Sequence, residues 1–429
     1  MNILLVVPWD KKHGSYRSRL SFFIAYKPLT LPTLAALVPE ELHAAVDVCD
    51  EMTDHPQRYK KHYDIVAFSI VSCESHRAYQ LAEQFKQRGS YIVFGGYHML
   101  YNSNEGFQHA DTVIVGAAEQ SWPQFLREFA AGSPQRFYHQ PCIDPSMYVT
   151  PKRNVLPSRR YVPLPTVLAN PSCRRNCNFC AICKMWNAKP RPVKDVIQDI
   201  RDLKRKYYIF YDPNFFDDRE YAIELMNAMC DLHISWAGAG CVDVFDDDEL
   251  LALAQKSGCA GLLLGLESMS EKALENSRKG FNSPEQYKKA VEKFQSYGIS
   301  INGCFVLGMD GDTEENLRQL PYWVDYLGLN LARFALLTPM PGSELYCQLD
   351  EQGRILSKSW EHYTQNQVVF QPQNMAPDRL KQIYDEVWKE TYKWSAVIKR
   401  VKRIKTSTFR EKMIVFLCNV GFKYLGKEM

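Results

Sequence analysis

Short apolar runs alternate with segments of helical periodicity over most of the chain. In the first 140 residues, apolar runs predict strands at 3–7, 46–49, 65–70, 91–94 and 113–115. Helical spacing of apolar residues predicts helices near 31–37, 79–85 and 122–129. This alternation is typical of a parallel sheet with helices on both faces. The sequence therefore predicts a Rossmann-like (flavodoxin-like) α/β domain over residues 1–140.

A proline-rich stretch separates this pattern from a second one. Residues 141–165 contain six prolines and no sustained periodicity, which predicts a linker because proline lacks an amide donor. Six further strand and helix cycles follow, with strands predicted at 166–169, 208–211, 234–237, 261–268, 299–307 and 333–337. A full barrel would need two more cycles. Residues 166–355 are therefore expected to form a partial (βα)6 TIM-like barrel, and residues 356–429 a helical C-terminal segment.

Composition narrows the class of protein. The 429 residues are 46% hydrophobic and 24% charged, with a net charge of +3, as in ordinary globular proteins of two or three domains. Thirteen cysteines, an odd number with a single tight cluster, fit a reduced compartment better than a disulfide framework. No basic leader begins the sequence, and no apolar run reaches the length of a membrane span. We expect a cytoplasmic protein.

The tight cluster places Cys173, Cys177 and Cys180 at the spacing C-x3-C-x2-C. One loop can wrap three thiolates around an iron–sulfur cluster, which leaves one of four irons open to a ligand other than protein. Two other interpretations remain open: Cys183 could complete a structural zinc site, or the thiols could be buried and free. Zinc ligands normally come in two separated pairs, and the intervening residues suit a loop better than a core.

This loop resembles the signature of radical S-adenosylmethionine (SAM) enzymes, C-x3-C-x-aromatic-C, with Phe179 in the aromatic position. The resemblance implies a [4Fe–4S] cluster held by the three signature cysteines. Its open iron would bind the amino and carboxylate groups of SAM, and one electron would cleave SAM to a 5′-deoxyadenosyl radical. Cys183 lies outside the signature, so the resemblance gives it no role as a ligand.

Small and polar residues follow three predicted strands of the first domain, where open α/β sheets bind ligands. These residues are Ser69, Ser72, Gly95, Gly96, His98, Gly116 and Glu119. Taken singly, a Gly-Gly pair is more often only a turn, and His98 more often a hydrogen-bonded loop histidine than a ligand. In order and spacing, however, the set resembles the cobalamin-binding domain of one radical SAM subfamily, which implies that these residues contact cobalamin. No Asp-x-His-x-x-Gly occurs, so no protein histidine is expected on cobalt.

Polar residues also end two apolar strands of the second domain. Asp212, Glu267 and Ser268 stand where a carboxylate needs a cationic or hydroxyl partner, and SAM carries both. Helix capping is the alternative for either acid. The resemblance supports Glu267 and Ser268, because Gly-x-Glu-Ser ends the fourth strand in many family members, and supports Asp212 less strongly. Residues 310–313 and 338–343 also resemble the subfamily, where they shape loops.

The resemblance implies a cobalamin-dependent radical SAM enzyme, most directly one that methylates an unactivated carbon. A rearrangement or oxidative cyclisation with the same cofactors, or a cobalamin-free binding or sensor protein, are the alternatives. The expected partners are a small-molecule or lipid-like substrate and an electron donor such as flavodoxin or ferredoxin, with no nucleic acid. Residues 393–427 carry ten Lys or Arg against one Glu, which suits either peripheral contact with an anionic membrane or a solvated helical face.

Overall fold

The computed structural model describes residues 1–10, 25–53, 59–157, 161–182, 185, 187–404 and 409–426, with the side chains of 409–411 and 425 excepted. The chain divides into two compact units. The first takes residues 1–166, 181–191 and 359–364, and the second takes 167–180, 192–358 and 365–429. The finer boundaries expected at residues 140, 165 and 355 stay predictions.

A six-stranded parallel sheet with the order β2-β1-β3-β4-β5-β6 forms the centre of the first unit. Its strands are β1 (Asn2–Val7), β2 (Ala45–Asp50), β3 (Ile65–Ser69), β4 (Tyr91–Gly95), β5 (Thr112–Gly116) and β6 (Phe137–Gln140). The first five match the predicted strands, but β6 was not predicted. It is a four-residue edge strand with only one large apolar side chain turned inward, Tyr138, which is too short a pattern to recognise.

Alternation along the strands places apolar side chains in two cores, one on each face of this sheet. Ile3 and Leu5 belong to one core, whereas Leu4 and Val6 belong to the other. The helices of the unit are α1 (Thr30–Ala36), α2 (Ser75–Lys86), α3 (Tyr97–Gly106) and α4 (Ser121–Ala130), and a short pair joins β7 (Cys142–Ile143) to β9 (Asn187–Ala188). Helix α3 was not predicted, because its Asn and Ser residues have low helix propensity.

The second unit contains another six-stranded sheet, with the order β14-β13-β12-β11-β10-β8. Its strands are β8 (Thr166–Val167), β10 (Tyr207–Phe210), β11 (Ser235–Gly240), β12 (Cys259–Glu267), β13 (Ser300–Leu307) and β14 (Leu331–Leu336). The four pairs from β10 to β14 are parallel. Because β8 and β14 are the two edges, the sheet is an open, partial barrel. All six strands lie where the sequence predicted them, and the predicted fold class is confirmed.

Helices follow each of the strands of the second unit and bury a single large core against them. They are α5 (Val193–Leu203), α6 (Arg219–Met229), α7 (Asp248–Lys256), α8 (Glu271–Asn276), α9 (Pro284–Ser296), α10 (Glu314–Arg318), α11 (Leu320–Leu327), α12 (Glu344–Glu351), α13 (Pro377–Thr391), α14 (Trp394–Arg403) and α15 (Phe409–Leu425). One helix was expected over 314–327. Two are present, because Pro321 lacks the amide donor that a continuous helix needs. Among the described helices, none combines the length and the apolar character required to cross a membrane.

Candidate active site at the strand ends

Asp212 anchors the start of the cysteine loop. It lies two residues beyond β10 and is only 2% exposed. One carboxylate oxygen accepts the backbone N–H of Ala169 at 2.8 Å, and the other accepts that of Asn170 at 3.0 Å. Hydrogen bonds from backbone N–H groups to a buried carboxylate are strong, so Asp212 fixes the direction in which the chain leaves β8. These contacts make it a positioning residue for the loop, whereas its predicted contact with SAM stays a prediction.

Arginines inside the loop attach it to the connections that follow β10 and β11. The backbone N–H of Arg174 donates to Asp217 at 2.9 Å, and its guanidinium donates to the other oxygen at 3.2 Å. Arg175 forms an ion pair with Asp243, and its guanidinium lies 4.4 Å from the ring centre of Phe281. The polar residues between the cysteines therefore form the loop that was expected, with partners on two different strand ends.

Asn178 holds the far end of the loop to the turn after α8. Its side chain donates to the carbonyl of Asn276 at 2.8 Å, and its backbone N–H donates to that of Ser277 at 3.2 Å. Phe179, in the aromatic position of the signature, is half-buried and packs against the core of the unit. Both ends of the cysteine loop are thus held in place by contacts within the protein.

The three signature cysteines lie close to the protein surface but are shielded from water. Cys177 is buried, and Cys173 and Cys180 are half-buried. Burial raises the pKa of Cys173 to about 12 and that of Cys177 to about 11, and in both the nearby Cys180 and Cys241 add to the rise. The thiols of Cys173 and Cys177 are therefore protonated at neutral pH, and metal binding must release those protons.

Within the described part of the chain, no three His, Cys, Asp or Glu side chains gather as they would around one metal ion. Cys183, the fourth thiol that the zinc alternative needs, lies outside the described residues. A four-iron cubane makes a different demand, because its three cysteines bind three separate irons. Three thiols on one anchored loop are a soft donor set that fits this kind of cluster.

Glu267 ends β12 in an unusual backbone conformation and meets a buried lysine. Its φ is 64°, and the pairing of β12 with β13 shifts register between Gly265 and Glu267. The carboxylate forms an ion pair with Lys279, whose ammonium also donates to the Gly265 carbonyl at 3.1 Å. Burial acts to lower the pKa of Lys279, but the charge and the hydrogen bond of Glu267, together with nearby Cys177 and Cys241, outweigh it and leave that pKa raised. A Cβ atom at Gly265 would overlap the ends of both side chains, so a larger residue there would have to displace the ion pair.

Sequence reasoning did not find Lys279, because a lysine in a polar turn after a short helix looks like any solvated lysine. Its contact with Glu267 exists only in the folded chain. Helix capping, the alternative role for the two strand-end acids, is not what the structure shows. Asp218 caps α6 and Ser270 caps α8, whereas Asp212 and Glu267 have the partners described above.

Ser268 supports the loop after β13. Its hydroxyl donates to Asp312 at 3.2 Å and accepts the backbone N–H of Ser270 at 3.0 Å. The other oxygen of Asp312 accepts the N–H groups of Gly308 and Met309, each at 2.9 Å. Burial raises the pKa of Asp312 to about 7. These contacts agree with the loop-shaping role expected for residues 310–313, and the predicted contact of Ser268 with SAM stays a prediction.

In the first unit, the structure brings Ser72 and His98 together at the strand ends. His98 is fully buried, with Nδ1 3.1 Å from the Ser72 hydroxyl and Nε2 3.0 Å from that of Tyr79. Glu105 lies 3.7 Å from Nε2 and accepts a hydrogen bond from the Trp360 indole. With both ring nitrogens in hydrogen bonds, His98 is a buried histidine in the first turn of α3, and its predicted contact with cobalamin stays a prediction.

Close backbone packing explains two of the predicted glycines. Gly96 and Gly116 have φ values of 90° and 87°, which favour glycine. A Cβ at Gly96 would lie 2.5 Å from the Ile70 nitrogen, and one at Gly116 would lie 2.2 Å from the Gln140 carbonyl oxygen. Gly95 has only ordinary contacts. These two glycines are therefore required by the protein itself, whatever ligand approaches them.

The remaining strand-end residues lie at the edge where open α/β sheets bind ligands. Ser69 ends β3, and Glu119 is half-buried, with burial raising the pKa of its carboxyl group. Between Ser69 and Ser72, the apolar side chain of Val71 is 48% exposed. A single exposed valine is ordinary, so the predicted contacts of Ser69, Ser72 and Glu119 with cobalamin stay predictions.

Comparison with known proteins places this site in a family. Residues 167–320 match the model of the Radical SAM superfamily. The bacteriochlorophyllide d C-8(2)-methyltransferase of Chlorobaculum tepidum is 25% identical over 424 residues, which are 92% of this chain and 92% of the relative. The C-12(1)-methyltransferase of the same organism is also 25% identical, over 87% of this chain and 84% of the relative.

Two solved structures share the fold at low sequence identity. The radical SAM methyltransferase TsrM from Kitasatospora setae, with cobalamin and a [4Fe–4S] cluster bound, has a TM-score of 0.67 at 15% identity and covers 91% of this chain and 88% of its own. The cobalamin-dependent SAM radical enzyme OxsB has a TM-score of 0.72 at 13% identity, over 99% of this chain and 71% of its own.

Residues 167–320 are therefore a radical SAM domain, as the cysteine signature predicted, and the chain is a radical SAM enzyme. A domain of this family takes a [4Fe–4S] cluster and SAM, and the anchored thiols described above suit that cluster. The whole α/β fold is, more narrowly, the one found in the cobalamin-dependent enzymes TsrM and OxsB.

Proposed function

We propose that this enzyme is a cobalamin-dependent radical SAM methyltransferase that methylates an unactivated carbon. The supporting observation is the combination of the anchored cysteine loop with a flavodoxin-like unit whose strand ends carry the small and polar residues expected of a cobalamin site. A bacteriochlorophyllide methyltransferase aligns with both parts, over 92% of the chain. When bound, the cluster and SAM supply the carbon-centred radical, and cobalamin supplies the methyl group.

Cys173, Cys177 and Cys180 would hold the cluster, and the loop anchors set where its open iron points. Asp212 and the two loop arginines keep the three thiols in register before metal arrives. Such preorganisation matters because small displacements of reacting groups cost large factors in rate. The chain's own contribution is therefore to hold the cofactors in place and to keep water away from the radical.

Glu267, Ser268 and Phe179 would line the SAM site with Asp212 beneath the loop. Glu267 has a cationic partner, Lys279, inside the protein. The α-amino group of SAM carries the same charge as that lysine and can share the carboxylate with it. In the other unit, Ser69, Ser72, Gly95, Gly96, Gly116 and Glu119 would surround cobalamin, with His98 holding Ser72 in place.

The substrate is proposed to be a small molecule or lipid-like compound. The two bacteriochlorophyllide methyltransferases act on a tetrapyrrole, and TsrM has been solved with tryptophan as substrate. We therefore propose a planar, largely apolar molecule as the first substrate to test. The electron donor is proposed to be a flavodoxin or ferredoxin, and the location cytoplasmic.

Oxidative cyclisation is the second candidate. The anaerobic magnesium-protoporphyrin IX monomethyl ester cyclase of Rubrivivax gelatinosus is 26% identical over 50% of this chain and 41% of the relative. Its partial coverage makes it the weaker guide. Methyl transfer and cyclisation differ in their products, since only the first forms S-adenosylhomocysteine.

The test is anaerobic reconstitution with iron, sulfide and hydroxocobalamin, followed by metal analysis and product analysis. We expect about four irons and one cobalt per chain, the iron depending on the three signature thiols. Cys177→Ala should lose the iron, whereas the matched variant Cys347→Ala, at an exposed cysteine of α12, should keep it.

Product analysis then separates the reactions. With methyl-deuterated SAM, a reductant and a tetrapyrrole such as bacteriochlorophyllide d, we expect labelled product with S-adenosylhomocysteine and 5′-deoxyadenosine. Binding of iron without cobalt would contradict the proposed methyltransferase activity, but it would agree with the proposed radical chemistry. Zinc in place of iron would contradict the assignment of the cysteine loop.

A further inference from the structure

The last two helices expose an unusual amount of apolar surface. Thirteen large hydrophobic side chains are exposed among the described residues, and six of them lie on α14 and α15. We call these six the outer face: Trp394, Ile398, Met413, Ile414, Leu417 and Tyr424. Single exposed apolar residues are ordinary, but a concentration of this kind on adjacent helices marks an interaction surface.

Helical spacing puts these residues on one side of each helix. On α14, Trp394 and Ile398 are four residues apart and 44% and 47% exposed, whereas Val397 is fully buried. Residues three and four apart share a face of a helix. Helix α14 therefore has a buried inner side, which packs on the second unit, and an apolar outer side.

Helix α15 has exposed apolar residues on its outer side. Val415 and Asn419 point inward and are 8% and 0% exposed, whereas Ile414 and Leu417 are 47% and 59% exposed. Its inner side is already packed on the protein, so these outer apolar side chains have no apolar partner within the described residues. The rings of Trp394 and Phe416 stack with their centres 6.5 Å apart, so α14 and α15 are in contact and their outer sides are adjacent.

The segment that carries the outer face is basic in sequence, although Lys393 and Lys399 pair with Glu390 and Asp325, and Arg400 is buried. Residues 393–426 contain nine Lys or Arg and a single acidic residue, Glu411. Lys402 and Arg403 are exposed at the end of α14, and Lys412 is half-buried on α15. The ammonium of Lys423 lies 5.2 Å from the ring centre of Trp394, at the border of the apolar surface.

We propose that the outer face is a docking surface for an anionic lipid membrane. The exposed apolar side chains would enter the boundary between headgroups and acyl chains, and the surrounding lysines would contact the anionic headgroups. Tryptophan and tyrosine are the aromatic residues that favour this boundary, and both occur on the outer face. The helices would lie along the membrane.

A second copy of the chain is the main competing occupant, and the charges argue against it. A symmetric contact would bring two sets of Lys402, Arg403 and Lys412 together across one interface, with repulsion between like charges. Anionic headgroups instead match both the charge and the apolar character of the surface.

The experiment measures co-sedimentation of the reconstituted holoenzyme with phosphatidylcholine vesicles, with and without phosphatidylglycerol. We expect binding only to the vesicles that contain phosphatidylglycerol, and weaker binding at high salt because salt screens the lysines. Changing Ile414→Ser and Leu417→Ser together should weaken binding about tenfold or more, since both side chains are buried only in lipid.

The matched control is Leu356→Ser, which removes an equally exposed leucine (53%) elsewhere in the second unit and should leave vesicle binding unchanged. The double variant Lys402→Glu and Lys412→Glu tests the charge separately. It should no longer bind preferentially to the vesicles that contain phosphatidylglycerol. Iron and cobalt content, which these exposed positions should not alter, confirms that each variant is folded.

Vesicles made with brominated lipids locate the contact. They should quench part of the tryptophan fluorescence, and Trp394→Phe should remove that part. Binding that survives the Ile414 and Leu417 substitutions, or no binding to either kind of vesicle, would overturn the proposal. So would a concentration-dependent dimer that the same substitutions abolish, because the outer face would then be a contact between copies.

Discussion

Replacing Lys279 by methionine tests how strongly the buried ion pair holds the end of β12. Lys279 and Glu267 are only 6% and 8% exposed, so the variant leaves a carboxylate in the protein without its cationic partner. Removing one partner of a buried pair usually costs about 3–5 kcal/mol. The carbonyl of Gly265 also loses the lysine as a donor, but it still accepts a hydrogen bond from the Asn282 side chain at 2.9 Å. The measured loss of stability therefore comes mainly from the unpaired charge of Glu267.

Protonation sets an upper limit on this cost and makes it depend on pH. An unpaired carboxyl group can take up a proton, which for an ordinary glutamic acid costs about 4 kcal/mol at pH 7 and about 1 kcal/mol at pH 5. We therefore expect Lys279→Met to lower the free energy of unfolding by about 3–4 kcal/mol at pH 7 and by much less at pH 5. Urea unfolding of the metal-free protein, followed by tryptophan fluorescence, measures both values.

Two variants complete this experiment. Glu267→Gln combined with Lys279→Met leaves no buried charge, so most of the stability at pH 7 should return. Lys288→Met removes an exposed ion pair with Glu292, at 3.1 Å on the surface of α9, and should cost less than about 1 kcal/mol. The reasoning is wrong if Lys279→Met costs no more than Lys288→Met, or costs the same at both pH values.

Three other substitutions test the remaining features. Asp212→Ala removes the acceptor for two backbone N–H groups at the start of the cysteine loop, so iron bound after reconstitution should fall; unchanged iron and stability would exclude the anchoring role. Burial raises the pKa of Glu74 to about 8, above its unfolded value, so its contribution to stability falls as pH rises from about 4 to about 8; Glu74→Gln should flatten that part of the stability profile measured by urea unfolding. Gly116→Ala should cost more than about 2 kcal/mol in unfolding free energy, because its Cβ meets the Gln140 carbonyl, whereas Gly132→Ala, with a similar φ of 78° and open space, should cost about 1 kcal/mol.

Much of the fold and the cluster site could be predicted from local pattern. Strands β1 and β3 are apolar runs that can be recognised in the sequence, because a strand buried on both faces has few polar positions. The three cluster cysteines stand within eight residues of one another, so one loop carries the whole donor set. Strand patterns and cysteine spacing involve residues that are close in sequence, so they can be recognised without the folded structure.

Contacts between distant residues were decided only by the folded chain. Strand β6 is recognisable because β5 pairs with it, and Trp360 reaches Glu105 across 255 positions of sequence. The partner of Glu267 is a lysine that no periodicity distinguishes from its solvated neighbours. Burial turns such residues from ordinary surface groups into parts of a site, because a buried charge must find a partner, and which partner it finds depends on how the strands and loops pack.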